Sequence, residues 1–490
     1  MSSDKRTFYP YCLWIKALNL GNLHSLLEDL ARDQFRELRT SFFSDPLQDL
    51  HLVSKSKHVT RRSGGPVMDI DGIIIAVADK LTAFIKQAAD QEDKTVTLAS
   101  LEGYHLPSAS LPTWVSRLSL LTSLTVRDGS VLNADVSLAI RANCPHFKEV
   151  VCHYCIGSDV DSQLAAFFSG LAPDSLESFT VMSSNSIREK TFKALKGHSE
   201  SLRGLGLCLE QPAALSALNL LSDCKNLKWL TIEATGSARS LDWEREKKQE
   251  FLEVLSWLRG CLSLTSLDLV HVPNSSSILS QVLQVPEIKL KSLDVKLQDT
   301  DERFYSALGS QTSLESLVVR TNDELVDIAG PRHAQFVSSI CSCTKLRKLD
   351  LMNEVLTLED VYNIMESLRV LDDFSFDGEL IDDDFLPPLA NIAYLRTLNI
   401  NALSNFSFAG LLNFVNDLAS LDESSVSGDS HGSHPHDGVR IYIMRQVGEH
   451  KFSDQEERLL TVETDRRLGG RIEITYEGDP DELHESDFSD

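Results

Sequence analysis

One short pattern recurs along most of this chain and limits what it can fold into. Written apolar-x-x-apolar-x-apolar, it starts at Leu121/Leu124/Val126 and returns at Phe147/Val150/Cys152, Leu176/Phe179/Val181, Leu202/Leu205/Leu207 and Leu227/Leu230/Ile232. It continues at Leu264/Leu267/Leu269, Leu290/Leu293/Val295, Leu314/Leu317/Val319, Leu346/Leu349/Leu351, Leu371/Phe374/Phe376 and Leu395/Leu398/Ile400. The eleven copies step by 26, 29, 26, 25, 37, 26, 24, 32, 25 and 24 residues. Alternation turns the fourth and sixth residues of each copy to one face of a short strand. Between copies the apolar spacing is helical, as in Phe251, Leu252, Leu255 and Leu258, or Val361, Ile364, Met365 and Leu368. One strand and one helix cannot close a core, so the units must stack, strands in a parallel sheet and helices along its other side. A chain of 490 residues also exceeds the roughly 250–300 that one compact core supports.

Steps of this size are those of leucine-rich repeats. The fold class expected is therefore α/β: a leucine-rich-repeat solenoid over residues 96–420, with a curved parallel sheet on the concave side and helices on the convex side. The two long steps contain residues 241–248 and 322–333, which read as loop insertions. Upstream, Val96 and Leu98 match the last two positions of an imperfect copy with Asp93 at its first. Leu47/Leu50/Leu52 and Ile15/Leu18/Leu20 also match, so residues 1–95 are expected to form an irregular cap with early repeats, a basic loop at 55–66 and a helix over 70–89. Residues 421–438, rich in Ser, Gly and His, read as a flexible loop. Val439/Ile441/Ile443 and Ile472/Ile474/Tyr476 read as a final strand pair or cap (439–476) covering the sheet edge, and 477–490 as an acidic, disordered tail.

Cysteine placement adds to this. Cys144, Cys224, Cys261 and Cys343 each precede the first apolar residue of a copy by three positions, where a small buried thiol packs between a helix end and the next strand. This resembles the cysteine-containing subclass of leucine-rich repeats common in F-box proteins.

Charge and composition narrow the partners. A net charge of −25 disfavours nucleic acid and anionic membranes and suits a protein with a basic patch. Nine cysteines are too sparse for a disulfide scaffold, no secretory leader is legible, and the apolar run at 73–78 is far short of a membrane span, which together imply cytoplasm or nucleus. No Walker A loop, dinucleotide fingerprint, HExxH or nucleophile elbow is present, so no enzyme activity, cofactor or metal is expected. Cys152-His153-Tyr154-Cys155, near Cys144 and His146, has the ligand types of a zinc site, but Cys144 and Cys152 already hold packing positions. His431, His434 and His436 read as solvated, and Asp372/Asp373 with Asp382/Asp383/Asp384 as a solvated acidic patch. Arg61-Arg62 with Lys55 and Lys57 is short for a nuclear address.

The fold predicts where a partner would touch. The third and fifth residues of each copy, and the one after the sixth, should line the concave face in columns about 4.8 Å apart. The binding residues expected there are Trp229, Thr231, Glu233, Asp268, Val270, Asp294, Lys296, Arg320, Lys348, Asp350 and Met352. Trp229 should be exposed as an anchor, with Asp268, Asp294 and Asp350 beside Lys296, Arg320 and Lys348. Gly204 and Gly206 should leave a bare patch.

The chain ends, through residues 7–15, Glu102-Gly103-Tyr104-His105-Leu106-Pro107 and Asp479-Pro480-Asp481-Glu482-Leu483, resemble those of fungal F-box and leucine-rich-repeat proteins. That resemblance implies a substrate receptor, whose F-box docks on the adaptor of an SCF-type cullin–RING ubiquitin ligase while the repeats hold the target. The chain departs from the family in having no recognisable F-box, and residues 9–29 fit a first repeat better. A ligase-independent scaffold or inhibitor using the same face is the alternative. A GTPase regulator acting through Arg127 or Arg320 is a third reading.

Overall fold

The computed structural model describes residues 11–44, 47–50, 53–54, 67–104, 106–297, 301–321, 330–425, 436, 438–447 and 451–477. The basic loop at 55–66, residues 322–329, most of the Ser/Gly/His loop with His431 and His434, and the tail from 478 onward lie outside them.

The apolar triplets form the strands that the repeat demands. The chain divides into two compact units, Met1–Leu227 with Thr235–Ala238 and Gln249–Trp257, and Lys228–Ala234 with Arg239–Lys248 and Leu258–Asp490. The array expected over residues 96–420 is thus shared between them. In the first unit, strands Ala17–Asn19, Ser100–Gly103, Ser123–Asp128, Glu149–Tyr154, Ser178–Val181 and Gly204–Leu209 pair in parallel in that order. In the second, Trp229–Ala234, Ser266–Val270, Ser292–Leu297, Ser316–Thr321, Lys348–Val355, Asp373–Asp382, Thr397–Asn405, Arg440–Gln446 and Arg471–Tyr476 do the same. Fourth-position residues stand opposite one another, as in Leu230, Leu267, Leu293, Leu317, Leu349, Phe374 and Leu398, and all are buried. Intervening helices, including Ser275–Val282, Glu302–Leu308, Pro331–Cys341 and Leu358–Ser367, pack on one another in chain order. The fold is an α/β leucine-rich-repeat solenoid.

Four local expectations are corrected. First, the upstream copy is Leu98/Leu101/Gly103, because Leu101 pairs with Leu124 on one side and Leu18 on the other. A glycine sits at its sixth position, and the space a Cβ would take is filled by the side chain of Leu106. Second, Leu47 and Leu50 belong to no repeat strand: Gln48–Leu50 is a 3-10 turn, and Val53–Ser54 pairs antiparallel with Val67–Met68. Third, residues 241–248 are no plain loop, since Asp242 caps a helical turn at Trp243–Glu246 and Trp243 is buried. Fourth, the last two strands do pair beside the edge of Thr397–Asn405 as expected, but as further rungs of the ladder and not as a separate cap. They run parallel, separated by the helix Asp454–Leu468, and extend the ladder with Arg440 opposite Thr397 and Arg471 opposite Arg440. Their first positions fall on Gly438 and Gly469, both at positive φ, so the leucine that marks other copies is absent.

The cysteine register serves the joint between helix and strand. Cys144, Cys224, Cys261 and Cys343 are all buried. The Cys144 thiol donates to the Val115 and Leu118 carbonyls, and that of Cys343 to the Leu308 and Ser339 carbonyls. Burial pushes Cys144, Cys224 and Cys343 up to about 12, so they stay protonated and unreactive. Gln311 occupies the same register before Leu314 and does more. It is buried, accepts from the Leu290 N–H at 3.0 Å, and donates to the Leu283 and Ile288 carbonyls at 2.8 and 3.2 Å. Gln311→Ala should strip the Leu290 N–H and the Ile288 carbonyl of partners, leaving the Leu283 carbonyl to the Ser310 hydroxyl, and lower unfolding stability by about 2–3 kcal/mol, whereas Cys343→Ala should cost about 1 kcal/mol. Urea unfolding of both variants checks the difference.

Candidate functional site

On each strand the residues between the buried positions point to the side that the helices leave open. In the second unit this strand face runs from Trp229 toward the last strands. Its lowest row reads Trp229, Ser266, Ser292, Ser316 and Lys348, each opposite the next. The middle row reads Thr231, Asp268, Asp294, Val318 and Asp350, and the upper row includes Glu233, Val270, Lys296 and Arg320. Met352 follows on the Lys348–Val355 strand.

Exposure on this face is graded. Lys348 is exposed, and Thr231, Glu233, Asp268, Val270, Asp294, Lys296, Arg320 and Met352 are half-buried. Trp229, expected to be exposed, is half-buried. Asp350, also expected at the surface, is only 7% exposed. Arg320 on the adjacent strand covers it and donates to its carboxylate at 2.6 Å, and the Met352 N–H holds the other oxygen at 3.1 Å. Gly204 and Gly206, in the first unit, are buried and offer no bare patch.

The carboxylates of the middle row differ sharply in how they are satisfied. Asp268 accepts from the Thr231 hydroxyl at 2.7 Å. Asp294 stands opposite Asp268, and its Oδ1 is shielded from water and meets no donor among the described residues. Burial raises the affinity of Asp268 for its proton against the pull of the Thr231 hydrogen bond. Burial also raises that of Asp294, and the Asp268 and Asp350 charges add to this while Arg320 and Lys296 oppose it. Asp373 and Asp377 are likewise raised, burial being the first cause in each. Two like charges face each other across neighbouring strands, an arrangement that costs stability in the free protein.

Other sequence candidates have structural roles. Asp372 is held by Arg347 at 2.6 Å, Asp382 accepts from the Asp384 N–H, and Asp383 accepts from the Ser407 N–H and hydroxyl. The acidic stretch therefore pairs with arginine and fastens turns, where it was expected to be simply solvated. Cys152 and Cys155 are buried free thiols, and no group of three or more metal-ligating side chains occurs among the described residues. His436 is buried against the Ile392 carbonyl. Arg320 is committed to Asp350, and Arg127 lies 5.0 Å over the Tyr104 ring. Tyr104 and its neighbour His153, 6.3 Å away, line the strand face of the first unit. Sequence reading missed Tyr104 because Gly103 disguises its repeat. It also missed Asn399 and Tyr442, which carry the middle row onward.

No family model matches the chain, and no curated protein matches it. Among solved structures it is similar to a chain of the yeast Rad7 and Elc1 complex, 14% identical over 82% of this chain and 89% of that one, TM-score 0.43. It is similar to a chain of the mouse RP105/MD-1 complex, 12% identical over 71% of this chain and 63% of that one, TM-score 0.36. It also matches the leucine-rich-repeat-containing protein LegL7 from Legionella pneumophila, 14% identical over 68% and 92%, TM-score 0.29. The chain spans less than two thirds of the RP105/MD-1 chain. Likenesses this weak carry no argument, and the repeats themselves establish the fold. No helix among the described residues is long and apolar enough to cross a membrane.

The two aspartates should respond oppositely to neutralisation. The folded state disfavours the ionised form of Asp294, so Asp294→Asn should leave the urea midpoint unchanged or raise it slightly. Asp350→Asn weakens the hold on Arg320 and should lower stability by about 1–3 kcal/mol.

Proposed function

We propose that this chain works by binding another protein on the strand face of the second unit, with the partner supplying basic side chains, and that it performs no chemistry of its own. The observation carrying this reading is Asp294. The residue is half-buried and stands opposite a second carboxylate, Asp268, so a guanidinium or ammonium from outside relieves the repulsion of the pair. Trp229, two residues lower on the neighbouring Thr231 strand, supplies flat area for an aliphatic stem. The serines at 266, 292 and 316 leave room for a partner side chain to reach the carboxylates.

The finer reading is a substrate receptor of an SCF-type cullin–RING ubiquitin ligase. It is supported by the cysteine register and by the resemblance of the chain ends to F-box and leucine-rich-repeat proteins. Its ligase adaptor would have to be reached through residues outside this strand face. Cytoplasm or nucleus is the compartment this role requires. A scaffold or inhibitor independent of the ligase would use the same face.

Proximity labelling with the full chain, compared with a Trp229→Ala, Asp268→Asn, Asp294→Asn variant, tests the site. Loss of the same protein from the labelled set, with recovery when Trp229 alone is restored to a partial level, is the expected result. An unchanged set rejects the face. Co-purification of a cullin–RING adaptor with both forms supports the ligase reading, and its absence from both favours the scaffold.

A further inference from the structure

We propose that the cleft at the start of the Ser275–Val282 helix, in the second unit, binds a phosphate monoester group, free or carried on a phosphoserine side chain. This site is separate from the strand face and does not depend on its role.

The helix begins without a side-chain cap. Asn274 precedes it in the left-handed conformation, φ +54°, and its carboxamide oxygen accepts from the Glu244 N–H at 3.1 Å, so it caps nothing on its own helix. The N–H groups of Ser276 and Ser277 meet no acceptor among the described residues. Ser276 is 1% exposed and Ser277 7%, yet both line an open cavity of about 600 Å³. Neither hydroxyl has a hydrogen-bond partner among the described residues. Polar side chains this buried are nearly always satisfied. Two amides and two hydroxyls thus stand unspent at the positive end of a helix, the arrangement that takes an oxyanion.

Arg303 and Arg332 also line the cavity. Each leans on a carboxylate, Arg303 on Asp301 at 2.6 Å and Arg332 on Glu302 at 2.5 Å. The Arg332–Glu302 pair is more than 60% exposed on both sides, so separating it costs little. Glu244, Asp301 and Glu302 also line the cavity and repel any anion. A carboxylate ligand, with one charge and two oxygens, gains too little against them. A phosphate monoester brings nearly two charges and three acceptor oxygens, enough to engage the serine donors and recruit an arginine from its carboxylate.

The test is the ³¹P line width of inorganic phosphate, and of a short neutral peptide bearing one phosphoserine, titrated with the full chain. Broadening that saturates is expected for at least one probe. Tighter binding of the peptide identifies a phosphorylated protein as the source, and equal binding a free phosphate compound. Ser276→Ala/Ser277→Ala should weaken binding about tenfold. Glu302→Gln should strengthen it several-fold by releasing Arg332, an effect that a merely structural role would not produce. No broadening with either probe overturns the proposal. So does unchanged binding in the serine variant when circular dichroism shows it folded.

Discussion

The whole architecture depends on one shortage: no strand-and-helix unit can bury its own apolar residues. Leu267 or Leu293 alone would stand on a half-wetted strand. Placed opposite one another in a parallel ladder, they become fully buried. The backbone hydrogen bonds of each strand are completed by the same neighbours, so register and burial are fixed together. This coupling also forces every residue between the buried positions onto the other side, whatever its chemistry. That is why two aspartates come to face each other at 268 and 294.

Where the fourth and sixth positions are apolar, the sequence shows the fold directly. Strands from Ser123–Asp128 to Thr397–Asn405 fall on the expected triplets. Legibility fails where glycine replaces a marker residue. Gly103 hides an early strand because Leu106, from outside the triplet, fills the gap. Gly438 and Gly469 leave the last two strands legible as strands but not as repeats, because a helix end or turn at positive φ takes the place of the leucine. An apolar triplet also misleads when it is isolated, as at Leu47 and Leu50, which serve a 3-10 turn. The pattern records burial, and burial can be met in more than one way.

The candidate face was legible in outline and not in depth. Strand alternation identifies which residues face away from the helices. It does not tell how far a neighbour's side chain reaches across the sheet. Arg320 reaches far enough to cover Asp350, and the Thr231 hydroxyl occupies Asp268, while Asp294 keeps an oxygen with no donor. Those distinctions arise between strands roughly thirty residues apart in sequence and have no local signature. The cleft at Ser276 and Ser277 likewise has no signature in the sequence, since a run of three serines does not show which hydroxyls and amides the fold leaves without partners.

Binding on the second unit depends on which side chains its open side presents. Thiol labelling of single-cysteine substitutions measures this directly, against the unsubstituted protein as background, whose cysteines are buried except for the half-buried Cys341. Ser266→Cys, Ser292→Cys and Ser316→Cys should be modified rapidly in the folded protein, and Leu267→Cys and Leu293→Cys only on unfolding. Fast labelling at 267 and 293 with protection at 266, 292 and 316 would contradict it.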